Sequence, residues 1–170
     1  MQRVINPVIP GFSPDPSVCR VGEDYYLVVS SFEYFPSIPI FHSRDLVHWR
    51  QIGHCIDRES QLPGWAPWHS TGMQAPTIRH IGGRFHVTCT TNRNFIVSAD
   101  DPAGPWSDPV WIDQPGIDPS IFQDEDGKVY YTNSYRYKDD DGMGVVCIGQ
   151  SEIDLATGAF IERPRVIWGG

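Results

Sequence analysis

The sequence predicts an all-β protein of the β-propeller class. Three observations predict it. One grammar of residues occurs three times along the chain, turn-forming residues are abundant, and no segment sustains apolar spacing of helical period. The chain has 170 residues, with 16 Gly and 15 Pro, and is 40% hydrophobic and 12% aromatic. Such a composition suits short strands joined by tight turns. The length is enough for one domain with a buried core.

The first unit opens with Asp15-Pro16-Ser17-Val18 and runs through Gly22 into the strand-like Tyr25-Tyr26-Leu27-Val28-Val29-Ser30. Its second half, Ile40-Phe41-His42-Ser43, leads through Asp45 to Trp49. The second unit opens with Ala75-Pro76-Thr77-Ile78, turns at Gly82-Gly83 and continues with Phe85-His86-Val87-Thr88. Phe95-Ile96-Val97-Ser98 then leads to Trp106. The third opens with Asp118-Pro119-Ser120-Ile121-Phe122, turns at Asp126-Gly127 and continues with Tyr130-Tyr131-Thr132. Val145-Val146-Cys147-Ile148 follows and leads to Thr157-Gly158.

Each unit therefore reads as a small antiparallel sheet. Glu23-Asp24, Gly82-Gly83 and Asp126-Gly127 are hairpin signals between strand-like runs. The proline of each unit falls near a strand start, where its missing N–H is harmless. Units begin about 40 to 60 residues apart, which suits a four-stranded blade. The blade-like units are expected at approximately 12–55, 72–112 and 115–168. A β-sandwich with look-alike strands is the alternative architecture. Three blades do not close a ring, so the expectation is the N-terminal portion of a larger propeller or a fragment of one.

The net charge is -8 and no basic run occurs, which argues against a nucleic-acid partner. No apolar stretch is long enough to cross a membrane, and the start, Met1 to Pro7, does not read as a signal peptide. Cys19, Cys55, Cys89 and Cys147 are widely separated, so reduced thiols in a cytoplasmic protein are expected. The six histidines show no zinc-ligand spacing. Asp124-Glu125-Asp126-Gly127 reads as a turn and Asp139-Asp140-Asp141 as a solvated loop, so no metal is assigned to this chain and no cofactor is required. The Trp-bearing link from Gln61 to Ser70 could form a pocket wall or pack outside the blades.

Chemistry is expected where the units begin. Innermost propeller strands start near the axis, so equivalent positions face one central cavity. Asp15 and Asp118 hold the same position in units one and three, whereas unit two has Ala75. The turn itself therefore does not require an acid. Asp before Pro can simply stabilise a turn. A carboxyl pair in a pocket is the other reading, since cleaving a glycosidic bond needs one carboxylate to deprotonate water and one carboxylic acid to protonate the leaving oxygen. A neighbouring charge can keep such an acid protonated near neutrality.

These residues carry a family resemblance. Asn6-Pro7-Val8-Ile9-Pro10-Gly11-Phe12-Ser13-Pro14-Asp15-Pro16-Ser17, Ser31-Phe32-Glu33-Tyr34-Phe35-Pro36, His42-Ser43-Arg44-Asp45-Leu46-Val47-His48-Trp49 and Gly116-Ile117-Asp118-Pro119-Ser120-Ile121-Phe122 resemble the motifs of glycoside hydrolase family 43. That family is the β-xylosidase and α-L-arabinofuranosidase group, and the likeness spans nearly the whole chain.

The resemblance implies a five-bladed propeller and exo-acting, inverting removal of terminal xylose or arabinose from xylan-derived oligosaccharides. It implies Asp15 as general base and Asp118 as the residue that tunes the pKa of the acid and orients it. It implies Phe32 as a sugar-pocket aromatic, for which ordinary core is the plain alternative. The family's general acid is a Glu in a later Pro-Glu-Gly-type motif, which this chain lacks, and neither Glu152 nor Glu162 stands in that context. Gln74 occupies the place of a tryptophan found in many β-xylosidases of the family, which exchanges an aromatic wall for an amide. A structural calcium in the full-length parent is compatible with the resemblance, with ligands beyond Gly170. The expected partners are a small oligosaccharide, and either further C-terminal blades or a homo-oligomer to cover unpaired strand edges. A carbohydrate-binding propeller without catalysis is the competing class.

Overall fold

A computed structural model of the chain describes residues 5–62, 68–138, 142 and 144–169. Among them the chain forms three four-stranded antiparallel sheets. The first contains β1 (Ser17–Val21), β2 (Asp24–Val28), β3 (Ser37–Ser43) and β4 (Arg50–Ile56), in that order. The second contains β5 (Gln74–Ile81), β6 (Arg84–Thr90), β7 (Asn94–Ala99) and β8 (Val110–Ile112), and the third β9 (Ile117–Gln123), β10 (Val129–Lys138), β11 (Gly144–Glu152) and β12 (Arg165–Gly169). Each sheet meanders from its first strand outward. These are three blades of a β-propeller, with β1 lying against β5 and β5 against β9. A 3₁₀ turn over Glu59–Gln61 is the helical element of the described residues.

Turn chemistry sets the first hairpin of each blade. Val21 pairs with Asp24, so the first turn is Gly22-Glu23, and Asp24 opens β2. The sequence placed this turn one residue later. Gly22 decides the matter, because its φ of 62° is the left-handed value that a tight hairpin demands. In the second blade Ile81 pairs with Arg84 across Gly82-Gly83, both at positive φ. The third blade carries one more residue in its turn. Arg20 pairs with Tyr25 in the first blade, whereas Gln123 pairs with Val129 in the third.

The cores lie between the blades. Val28, Ile40, Ile56, Ile78, Val87, Phe95 and Val97 join blades one and two in one apolar cluster. Ile81, Ile96, Ile112, Ile121 and Tyr131 join blades two and three in another. Successive strand side chains point to opposite faces. Phe95 and Val97 therefore face one neighbour and Ile96 the other, which explains why this strand reads as a continuous apolar run rather than an alternating one.

Candidate active site at the propeller hub

The three residues that begin the units share one uncommon backbone state. Asp15, Ala75 and Asp118 have φ of 52°, 45° and 56°, and each precedes a proline. Left-handed φ is uncommon outside glycine, and proline further restricts the residue before it. Such positions cost on the order of 1–3 kcal/mol each and persist where the surroundings over-determine them. Ala75 shows that the fold imposes this conformation without help from a carboxylate.

Asp15 is held by the next strand and tied to the next blade. Ser30 follows β2, is 1% exposed, and donates its amide to the Pro14 carbonyl at 3.0 Å. Its hydroxyl donates to Asp15 Oδ2 at 2.6 Å. The Ser30 hydroxyl oxygen in turn accepts the Ala75 amide at 2.7 Å. Asp118 is brought to the same hub. Burial raises its carboxyl above the usual carboxylate range, and the Asp15 charge raises it further. The two acids, far apart in sequence, are thus electrostatic neighbours.

Phe32 follows Ser30 by two residues, and Gln74 directly precedes Ala75. Ser31 and Phe32 donate their amides to the Met73 carbonyl at 3.3 and 2.9 Å, and Met73 donates back to the Phe32 carbonyl at 3.0 Å. Gly72, at φ 102°, passes so close to Phe32 that an added Cβ would collide with the Phe32 carbonyl oxygen. The Phe32 ring is half-buried and packs against Phe12 with centroids 5.7 Å apart, and Phe12 meets Tyr34 at 6.0 Å. Phe12 and Tyr34 are exposed, at 61% and 62%, so the three rings form an accessible aromatic ledge. Gln74 is half-buried, stands opposite Thr90, and accepts the Cys89 thiol on its carbonyl at 3.2 Å.

Buried polar side chains fix the approach to Asp118. Thr90 donates to Asn94 Oδ1 at 2.7 Å, and Asn94 Nδ2 donates to the carbonyls of Gln114 and Gly116 at 2.8 and 3.3 Å. Asn133 Nδ2 donates to the Pro115 carbonyl at 2.9 Å. Gly116, at φ 120°, has no room for a Cβ against the Ser134 carbonyl.

Sequence reasoning missed Ser30, Asn94 and Asn133 as parts of the hub, along with Phe12 and Tyr34 as parts of the ledge. One signal could have found Ser30. Ser17 pairs with Val28, Thr77 with Thr88 and Ser120 with Thr132, so Ser30, Thr90 and Ser134 stand at matching positions two residues on. A hydroxyl recurs there in every blade.

Glu152 and Glu162 engage basic neighbours, with Lys128 Nζ 3.5 Å from Glu152 and Arg165 Nη2 2.5 Å from Glu162. Trp65 and the Asp139-Asp140-Asp141 run lie outside the described residues. Among the described residues no three His, Cys, Asp or Glu side chains cluster as metal ligands. All four cysteines are free thiols. Burial pushes the Cys19 thiol up to about 11, so it stays protonated at neutral pH.

Comparison with known proteins accords with this geometry. The sequence profile described as "Glycosyl hydrolases family 43" matches residues 4–163. A protein of Butyrivibrio fibrisolvens named "Xylosidase/arabinosidase" is 47% identical over 177 residues, covering 97% of this chain and 33% of that protein. The "Non-reducing end alpha-L-arabinofuranosidase BoGH43B" of Bacteroides ovatus is 45% identical over 172 residues, covering 97% of this chain and 31% of that protein. The crystal structure of a GH43_12 protein retrieved from capybara gut metagenome superposes with a TM-score of 0.89 at 40% identity, covering 96% of this chain and 32% of that one. The chain spans about a third of the length of the curated relatives it matches.

Proposed function

The chain belongs to glycosyl hydrolases family 43, and from that premise we propose that it supplies the water-activating side of an inverting, exo-acting glycosidase. The substrates we assign are oligosaccharides ending in xylose or arabinose, after the names borne by its relatives. One observation carries the reading. Asp15 and Asp118 begin equivalent strands at one hub, in the same left-handed backbone state, and the charge of one raises the pKa of the other.

In this mechanism the Asp15 carboxylate accepts a proton from water. The water oxygen attacks the anomeric carbon from the face opposite the leaving group, and the bond to the glycosidic oxygen breaks with inversion. The leaving oxygen takes its proton from a carboxylic acid, a role that we assign to neither Asp15 nor Asp118. Asp118 stands beside Asp15 as a second carboxyl, and its negative charge keeps a nearby acid protonated until it is needed. The Phe12–Phe32–Tyr34 ledge offers apolar faces on which a sugar ring can stack. Gln74, in the place of an aromatic wall, offers an amide for sugar hydroxyls.

The test uses the full-length protein with nitrophenyl xyloside and nitrophenyl arabinoside. Asp15→Ala is expected to lower kcat by about 10²–10⁴-fold, the usual worth of a general base, while the circular dichroism spectrum stays that of the parent. Wild-type turnover in the variant rejects the base assignment. Sugar binding without turnover in the parent protein identifies a lectin-like propeller instead.

A further inference from the structure

We propose that Ser30 is a positioning residue for Asp15, holding one carboxylate oxygen so that the other receives the proton of the attacking water. The proposal rests on the general-base reading of Asp15. A serine hydroxyl has one proton to donate and lone pairs to accept with. The Ala75 amide is a pure donor, so at 2.7 Å it occupies a lone pair of Ser30 Oγ. The hydroxyl proton is then directed to Asp15 Oδ2, 2.6 Å away, a length typical of a hydroxyl bound to a carboxylate. Ser30 is 1% exposed, so bulk water does not compete for either bond. Among the described residues no other hydrogen bond reaches the Asp15 carboxylate, and Oδ1 is left as the oxygen for chemistry.

The second blade provides an internal comparison. Thr90 holds the position of Ser30 there, and the hub residue is Ala75, which has no carboxylate. The Thr90 hydroxyl turns to Asn94 and the chain segment leading to the third blade. In blade one the hydroxyl at this position is directed to the Asp15 carboxylate, whereas in blade three no hydrogen bond among the described residues joins Ser134 to Asp118, so the contact is particular to Asp15. Asp15 itself sits at a strained φ and is exposed, so its backbone alone does not confine its carboxylate. Ser30 confines it, and through Ala75 references it to the second blade.

The experiment compares Ser30→Ala, Ser30→Cys, Ser30→Thr and Asp15→Ala in the full-length protein, with kcat, KM and melting temperature measured for each. Misplacing a reacting group by about 1 Å costs on the order of 100-fold. Ser30→Ala is expected to lower kcat by roughly 10- to 100-fold with KM within about twofold of the parent. Ser30→Cys fills the same space with a weak donor and is expected to share that kcat loss even if Ser30→Ala folds poorly. Ser30→Thr keeps the hydroxyl and is expected to restore kcat to within about threefold. A parental kcat in Ser30→Ala or Ser30→Cys overturns the proposal, as does a loss that Ser30→Thr shares equally or one that follows the folded fraction. Parental turnover in Asp15→Ala overturns the general-base reading itself. An inactive Asp15→Ala beside a fully active Ser30→Ala overturns the positioning role alone.

Discussion

Asp118 shows burial and a neighbouring charge acting on one carboxyl in the same direction. Asp118 is raised first by partial burial and then by Asp15. Between the unfolded value, near 3.8, and the higher folded value, the folded chain binds more protons at Asp118 than the unfolded chain does. Its contribution to stability is therefore complete below the unfolded value and is lost as pH rises through the folded one. Asp118→Asn removes that penalty. The variant is expected to melt at a higher temperature than the parent at pH 7, with the difference vanishing near the acid limit. A lower melting temperature at pH 7 would refute the assignment of Asp118 as a carboxylate held against its preference. The identity of both acids was legible from the repeated Asp-Pro-Ser, because identical local sequence implies identical placement. Ser30 was not, since its role depends on a hydroxyl meeting a carboxylate across a strand pair and an amide from another blade.

Individual elements place these residues through turns and close approaches. The segment from Gly72 into β5 shows this best. Met73 and Phe32 exchange backbone hydrogen bonds, and Gly72 lies directly on the Phe32 carbonyl. Gly72→Ala would both push a Cβ into that oxygen and place a side chain at φ 102°. The expected loss is about 2 kcal/mol or more, read from the midpoint of urea unfolding, with overpacking and backbone strain both contributing. An unchanged midpoint would mean that the two blades do not meet there. Hairpin positions were readable from Gly and Asp pairs to within a residue. The Gly22-Glu23 turn shows why the residual error arises: the strand register chooses which residue takes positive φ, and two adjacent polar residues do not distinguish themselves. Phe12 and Tyr34 could not be placed on a ledge from sequence, because exposed aromatics carry no periodic signal.

At the scale of the whole molecule, stability lies between blades rather than within them. An isolated four-stranded sheet has no partner for either face, so each blade depends on its neighbour. Strand β7 serves two interfaces at once, with Phe95 and Val97 in one cluster and Ile96 in the other. Ile96→Ala should cost about 2–5 kcal/mol, as for other buried isoleucines. Amide exchange should accelerate most in β9 and β10, which pack on that side through Ile121 and Tyr131, and least in β3. Equal acceleration throughout would show that the blades unfold as one unit.

The sequence by itself determined the fold class and the family, and it marked Asp15 and Asp118 as equivalent positions, because repeated local grammar encodes repeated local structure. Tertiary structure alone decided which groups touch those acids. Ser30, Ala75 and Asp15 meet through hydrogen bonds that cross strands and blades. Asp118 acquires its raised pKa from burial and from a charge more than a blade away along the chain. Such contacts depend on distances in space, and no local pattern of residues records them.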